Sequence, residues 1–188
     1  MELKGERLIP ATIDATWAAL NDAETLKACI AGCESLERIG DDAFVAVVAM
    51  KIGPVSARFK GNLKLTNVEP PKGYTINFDG QGGVAGFGKG AADVALTPAG
   101  DATRLAYDAR ATVGGKMAQI GSRLIDATAA KITEDFFRAF EAQLQAKVAP
   151  EAVAPGAAVV ARAPASARTL VWILAALVVA AILYVLLR

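Results

Sequence analysis

One long amphipathic segment limits most strongly what this chain can fold into. No proline interrupts the run from Gly115 to Val148, and the next one is Pro150, so the pattern predicts one helix over this range. At 1.5 Å per residue that helix is about 50 Å long. Its apolar residues recur at helical spacing on one face: Met117, Ile120, Leu124, Ile132, Phe136, Phe140 and Leu144. Because a single helix cannot bury such a stripe by itself, the rest of the chain must supply a surface for it.

The residues before this helix have the pattern of an antiparallel sheet. A strand is predicted over residues 3–9, two short helices lie within residues 14–28, and six strand-like runs occupy residues 34–113. From Val55 to Leu65 apolar and polar residues alternate, which is typical of a strand with one face on a core. Short connections between neighbouring runs imply antiparallel pairing.

The order of these elements predicts an α+β fold of the helix-grip type. In this architecture a curved antiparallel sheet of about seven strands wraps around the long C-terminal helix. Residues 43–52 are apolar at nearly every position, so we expect both faces of that strand to be covered. Gly121 would lie inside the long helix, at a cost of up to about 1 kcal/mol relative to alanine. It either allows close packing against the sheet or, with Gly114 and Gly115, widens the mouth of a cavity between sheet and helix.

The composition changes after residue 148. Residues 149–168 are rich in alanine and proline without periodicity, which predicts a linker. Residues 169–188 contain an apolar run of about 19 residues, enough to cross a bilayer core of roughly 30 Å, with Trp172 and Tyr184 near its ends. Two arginines precede this run and one follows it. We therefore expect a single-pass anchor in the cytoplasmic membrane, with the N-terminal domain in the cytoplasm.

Composition excludes several classes of function. The chain contains no histidine, which excludes a Ser-His-Asp triad, a Cys-His pair and histidine-bound zinc or iron. A formal net charge of +1 gives no electrostatic case for nucleic acid. Cys29 and Cys33 offer too few ligands for a metal site, and we expect free thiols. The run Gly83–Gly90 begins like a phosphate loop, but Gly90 replaces the required Ser/Thr and a strand follows. A hairpin or bulged corner is the better interpretation.

Residues 113–126, Val-Gly-Gly-Lys-Met-Ala-Gln-Ile-Gly-Ser-Arg-Leu-Ile-Asp, resemble the signature of the carbon monoxide dehydrogenase G-subunit (CoxG) family, as does the Phe136-Phe137 pair. Residues 17–22 and 30–33 support the resemblance, which covers residues 1–148. That family belongs to the START-like (SRPBCC) superfamily. The resemblance implies a non-catalytic accessory protein that attaches a molybdenum-containing carbon monoxide dehydrogenase to the cytoplasmic membrane.

A helix-grip cavity held at a membrane suggests a hydrophobic ligand. The electrons of the enzyme must reach the respiratory chain, and quinones are insoluble in water, so we expect a non-covalently bound respiratory quinone and no metal. Arg123 is either a solvated charge or a contact for the partner enzyme. The predicted cavity lining is Phe59, Leu63, Tyr74, Ile76, Phe78, Phe87, Tyr107, Met117, Ile120, Gly121 and Leu124.

Two other classes of function stay open at this point. Some START-like proteins are enzymes, and Asp79, Asp93 and Asp108 would supply acid–base groups if they faced the cavity. Strand alternation predicts that all three face away from it. The third possibility is a purely structural membrane anchor with a filled core, which the volume between sheet and helix would distinguish from a carrier.

Overall fold

The computed structural model of this protein describes residues 1–148 of the 188-residue chain. The predicted linker, residues 149–168, and the predicted membrane anchor, residues 169–188, lie outside the described residues. The elements are β1 (Glu2–Ile9), α1 (Ile13–Leu20), α2 (Ala23–Cys29), β2 (Cys33–Ile39), β3 (Ala43–Ile52), β4 (Val55–Glu69), β5 (Gly73–Gln81), β6 (Phe87–Ala99), β7 (Ala102–Gly114) and α3 (Ser122–Val148). Two short 3-10 turns, Gly83–Ala85 and Gly115–Ile120, precede β6 and α3.

The seven strands form one antiparallel sheet in the order β1-β7-β6-β5-β4-β3-β2. The chain from β2 to β7 is a meander, and β1 joins it by pairing with β7, where Gly5 lies opposite Tyr107. In β4 the residues from Val55 to Leu65 alternate between the two faces as the sequence predicts. The sheet together with α3 confirms the predicted helix-grip architecture. We call the two sides of the sheet its helix face and its solvent face.

The two short helices close one end of the grip and are fixed by side-chain caps. The hydroxyl of Thr12 accepts a hydrogen bond from the amide of Ala15 at the start of α1, and the carboxylate of Asp22 accepts one from the amide of Thr25 at the start of α2. Such caps satisfy amide groups that have no partner inside a helix. The C-terminal half of α3 packs on these helices and on the sheet, with Phe140 and Leu144 buried beside Ile9.

The long helix begins later than the sequence pattern predicts. The prediction of one helix from Gly115 is wrong, because Gly115–Ile120 forms a 3-10 turn and α3 starts at Ser122. Gly121 separates them with a φ of 97°, a backbone conformation that residues with a Cβ rarely adopt. The 27 residues of α3 span about 40 Å. Within residues 1–148, none of the helices combines the length and hydropathy needed to cross a bilayer.

The expectation that β3 is covered on both faces is also wrong. Phe44 and Ala46 are buried on the helix face, whereas Val45 and Val47 on the solvent face are only half-buried and Ala49 is exposed. The solvent-face residues pair with polar neighbours, since Asn62 lies opposite Val45 and Arg58 opposite Ala49. The nearly continuous apolar run therefore reflects a preference for β-branched residues in a strand and not a second covering layer.

Candidate ligand cavity

Three apolar compartments lie in a row between the helix face of the sheet and α3. The mouth compartment, of about 340 Å³, is lined on α3 by residues from Ile125 to Ile132. The middle compartment, of about 280 Å³, is lined on α3 by residues from Ile132 to Phe137. The deep compartment, of about 250 Å³, is lined there by Phe136 and Phe137 and closed by residues of α1 and α2. From Ile125 to Phe137 the row follows α3 for about 18 Å.

The mouth compartment lies where the first turns of α3 face the ends of the strands. Its sheet-side lining comes mostly from large apolar residues: Met50, Ile52, Phe59, Leu63, Phe78, Val113 and Met117. The hydroxyl of Thr128 is satisfied, because it donates to the carbonyl oxygen of Leu124 at 2.8 Å. Asn62 and Asp79 also border the compartment, but the Asn62 amide donates to the Asp79 carboxylate at 3.1 Å. The compartment is therefore a hydrophobic surface without an unpaired polar side chain among its described lining residues.

Glycines on three neighbouring strands leave room in this compartment. Gly61, Gly80 and Gly88 all line it. A Cβ built on Gly88 would meet nothing within 4 Å, and one on Gly80 would meet only a backbone oxygen at 3.8 Å. The space beside them is therefore open because side chains are absent, as the glycine-rich sequence around residues 80–90 suggests.

The middle and deep compartments share their walls and carry two tyrosines. Ile76, Tyr107, Phe136 and Phe137 line both of them. Tyr74 lines the deep compartment and is 6% exposed. Its ring meets the indole of Trp17 edge to face, with 5.5 Å between the ring centroids, an arrangement that favours the contact of ring edge and face. Burial raises the pKa of the Tyr74 phenol, so the hydroxyl stays protonated at physiological pH.

Most of the sequence-predicted lining residues lie on these compartments. Phe59, Phe78 and Met117 border the mouth compartment, and Leu63 borders both the mouth and the deep compartments. The other residues that the structure places on the cavity are Tyr74, Ile76 and Tyr107. Their role in binding a ligand stays a prediction.

Four predicted lining residues lie elsewhere. The ring of Phe87 covers the backbone of Gly114, where an added Cβ would lie 2.3 Å from its Cε1 atom. Ile120 and Leu124 pack on the turn between β3 and β4: a Cβ on Gly53 would lie 2.8 Å from Leu124 Cδ2 and 3.6 Å from Ile120 Cγ2. Leu124 is 41% exposed. Gly121 is exposed and borders no compartment. The common reason is that the helical stripe starts after Gly121 and not at Gly115.

Sequence reasoning missed the contribution of α3 itself. Ile125, Thr128, Ala129 and Ile132 line the mouth compartment at spacings of three, one and three residues. That spacing is typical of one helix face. It would have been visible if the helix had been started at Ser122. Arg123, the candidate contact for a partner, is exposed on the first turn of α3.

The three aspartates of the enzyme interpretation lie on the solvent face, as strand alternation predicts. Asp79 accepts from Asn62, and Asp93 accepts from the Thr75 hydroxyl at 2.7 Å. Asp108 lies 2.9 Å from Lys4 Nζ, and hydrogen bonding to Lys4 lowers the pKa of its carboxyl. These partners are themselves solvent-face groups. The carboxylates are therefore not directed at the cavity.

No acidic, cysteine or histidine side chains among residues 1–148 cluster in a group that could hold a metal ion. Cys29 is buried and Cys33 is half-buried, and both are free, as expected. Burial raises the pKa of both thiols, which keeps them in the unreactive protonated form.

Several solved structures share this fold. A conserved protein from Geobacillus kaustophilus is 32% identical, with a TM-score of 0.74 over 78% of this chain and 97% of the other. A START superfamily protein from Mycobacterium smegmatis is 16% identical, with a TM-score of 0.60 over 78% and 99%. An aromatase/cyclase from Streptomyces is 12% identical, with a TM-score of 0.58 over 84% and 99%. The last two likenesses show the fold alone.

Among curated proteins, none matches this sequence. The sequence profile of one family, the G subunit of carbon monoxide dehydrogenase (CoxG), matches residues 5–145. That range covers the sheet and almost all of α3, including every compartment of the cavity. The chain therefore belongs to the CoxG family of carbon monoxide dehydrogenase and has its START-like fold.

Proposed function

We propose that this protein is a non-catalytic accessory protein that carries a respiratory quinone for a molybdenum-containing carbon monoxide dehydrogenase at the cytoplasmic membrane. The observation that carries the proposal is the row of apolar compartments between the sheet and α3. Family membership supports the choice of partner enzyme. The predicted anchor, residues 169–188, supports the choice of membrane.

The chemistry of the cavity favours a carrier over an enzyme. Acid–base catalysis needs a titrating group within hydrogen-bond reach of the substrate, whereas the described carboxylates nearest the cavity are paired on the solvent face. An apolar surface with few polar groups is typical of sites for hydrophobic small molecules of roughly 300–1,000 Å³. The compartments together fall in this range, so a ring and part of an isoprenoid chain fit their combined space.

A quinone carrier also explains why such a domain belongs beside a soluble dehydrogenase. The electrons of carbon monoxide oxidation enter the respiratory chain through a molecule that is insoluble in water. A cavity removes the apolar surface of that molecule from water, at about 25 cal/mol for each Å² removed. A domain tethered at the membrane takes the quinone from the bilayer and presents it to the enzyme.

Extraction and quantification of quinone from the purified full-length protein tests this proposal. We expect the wild-type protein to retain quinone or to take it up when it is offered in detergent. Ala129 lines the mouth compartment, whereas Ala130 on the same helix is exposed. Ala129→Trp should therefore abolish loading, and the matched control Ala130→Trp should not.

Folding is measured beside loading, because overpacking a cavity costs about 1–3 kcal/mol. If both variants melt like the wild type and only Ala129→Trp lacks quinone, the compartment is the binding site. A folded wild-type protein that neither contains quinone nor binds it would overturn the carrier proposal. It would leave a docking platform as the function.

A further inference from the structure

Hydrogen-bond donors are distributed unevenly along the cavity. In the mouth compartment the hydroxyl of Thr128 is paired with the carbonyl oxygen of Leu124, and the amide of Asn62 is paired with Asp79 on the solvent face. In the middle and deep compartments the phenols of Tyr74 and Tyr107 are the donor side chains that border an otherwise almost wholly apolar lining. A ligand with an acceptor atom therefore meets its donors away from the mouth.

The two phenols are not equivalent. The hydroxyl of Tyr107 lies against the backbone of β1, since a Cβ on Gly5 would be 2.3 Å from Tyr107 Oη. That hydroxyl is at the edge of the sheet, where the ring alone faces the cavity. Tyr74 lies on β5 near the centre of the sheet, and its paired residue is Val94 on β6.

The environment of Tyr74 fits a donor that waits for an acceptor. Burial is the cause of the raised pKa of its phenol, with no contribution from a hydrogen bond. A buried hydroxyl without a partner is costly, and an acceptor that enters the site recovers that cost. The surroundings are aromatic and aliphatic: Trp17, Leu36, Phe44, Leu65, Leu105 and Phe137. A flat ring with a carbonyl oxygen matches this combination of aromatic walls and one donor.

We propose that the deep compartment is the head-group subsite, in which Tyr74 Oη donates a hydrogen bond to a ring carbonyl of the bound quinone, while the mouth compartment holds the isoprenoid chain. This inference rests on the function proposed above and adds the orientation of the ligand. The redox ring is then separated from the mouth by the middle compartment and enclosed by α2, α3 and the sheet. The ring must leave this subsite before it can accept electrons at the surface of the enzyme.

Binding measurements on the full-length protein in detergent test the orientation. The two probes are a naphthoquinone with a short prenyl chain and the same prenyl chain as a hydrocarbon without the ring. Tyr74→Phe removes one oxygen atom and keeps the ring. It should weaken binding of the naphthoquinone about three- to tenfold and leave binding of the hydrocarbon unchanged. Tyr107→Phe is the matched control and should change neither.

Fluorescence gives a second measurement that does not depend on a variant of Tyr74. Trp17 touches Tyr74, and in a Trp172→Phe background it is the single tryptophan. The naphthoquinone should quench Trp17 strongly on binding, and the hydrocarbon should not.

The outcomes separate the two proposals. If Ala129→Trp abolishes naphthoquinone binding, Tyr74→Phe leaves it unchanged and Trp17 is not quenched, the orientation is wrong and the carrier function stands. If the folded wild-type protein binds neither probe, the carrier function fails and the orientation fails with it. Weaker binding in Tyr74→Phe for the quinone alone, together with quenching of Trp17, supports both.

Discussion

Gly121 determines where the helical face of α3 begins. Its φ of 97° turns the chain between the 3-10 segment Gly115–Ile120 and Ser122. No atom outside its immediate neighbours lies within 4 Å of a Cβ built there, so glycine is needed for backbone conformation and not for space. The turn places Leu124 on the β3–β4 connection and Ile125 in the cavity. A single residue therefore sets which α3 side chains meet the ligand.

Replacing Gly121 by alanine tests this interpretation. A left-handed backbone costs a residue with a Cβ roughly 1–2 kcal/mol, so Gly121→Ala should lower the thermal midpoint by about 2–6 °C in a domain of this size. Gly88→Ala is the matched control, because its φ lies outside the left-handed region and its Cβ also meets nothing within 4 Å. It should leave the midpoint unchanged or slightly higher. Equal losses in both variants, measured by circular dichroism, would show that backbone conformation is not the reason.

The solvent-face aspartates give a test of the non-catalytic assignment. Replacing Asp79, Asp93 or Asp108 by asparagine, one at a time, should leave carbon monoxide-dependent respiration nearly intact, because none of the carboxylates faces the cavity. Oxygen consumption by cells that carry each variant measures this directly. A loss of roughly a hundredfold or more in any one of them is the size expected for a lost acid–base group. Such a loss would favour the enzyme interpretation.

The helices hold each other through one polar contact at the end of α3. Lys147 Nζ donates to the Thr25 hydroxyl at 2.7 Å and lies 3.3 Å from Asp22 Oδ2. The Thr25 hydroxyl in turn donates to Asp22, which caps α2. The last described turn of α3 is thereby joined to the start of α2. These helices also close the deep compartment, so the contact connects the cavity to the chain segment that leads to the predicted anchor.

This contact predicts a dependence of stability on pH. The hydrogen bond from Thr25, and then Lys147, lowers the pKa of Asp22 below its ordinary value of 3.8. A carboxylate with a lowered folded-state pKa stabilises the fold above its unfolded-state pKa, and this stabilisation is lost as the pH falls through the folded-state pKa. The stability difference between the wild type and Asp22→Asn should therefore be constant near neutral pH and shrink below about pH 4.

Thermal unfolding between about pH 3 and pH 7 measures that difference, and amide exchange in the last turn of α3 locates it. Asp135→Asn is the control, since Lys131 lowers the pKa of Asp135 within the helix and the α2–α3 contact is untouched. Faster exchange at the end of α3 in Asp22→Asn but not in Asp135→Asn is expected. Equal exchange in the two variants would contradict the role given to Lys147.

The described fold is complete without the C-terminal segment. The sheet, the core cluster around Phe140 and all three compartments lie within residues 1–148. Their apolar contacts come from within that range, and the composition changes just after it. The residues that follow therefore serve attachment in our proposal and do not contribute to the fold.

A chain that ends at Val148 should be soluble and melt in one cooperative transition, with Lys147 still in place for its contact with Thr25. The full-length chain should fractionate with membranes, because its apolar run is long enough to span a bilayer. Cell fractionation followed by differential scanning calorimetry measures both properties. Recovery of the full-length chain in the soluble fraction would contradict the predicted anchor.

The sequence by itself determined the class of fold and the sidedness of the sheet. Alternation in β4 and the long helical stripe depend on local periods of two and 3.6 residues, which a single chain segment records. The outward position of Asp79, Asp93 and Asp108 follows from the same alternation. The motif of residues 113–126 led to the family by resemblance, since it records ancestry as well as physics.

The lining of the cavity was decided only when distant segments were brought together. Phe87 fits the strand pattern, but its position on Gly114 depends on the pairing of β6 with β7. Leu124 fits the helical stripe, but the left-handed turn at Gly121 moves it onto Gly53. The unpaired hydroxyl of Tyr74 depends on contacts with α1, β3 and α3, which are far apart in the chain. Periodicity reports which side of an element faces inward, whereas the curvature of the sheet and the start of the helix determine what each inward side chain meets.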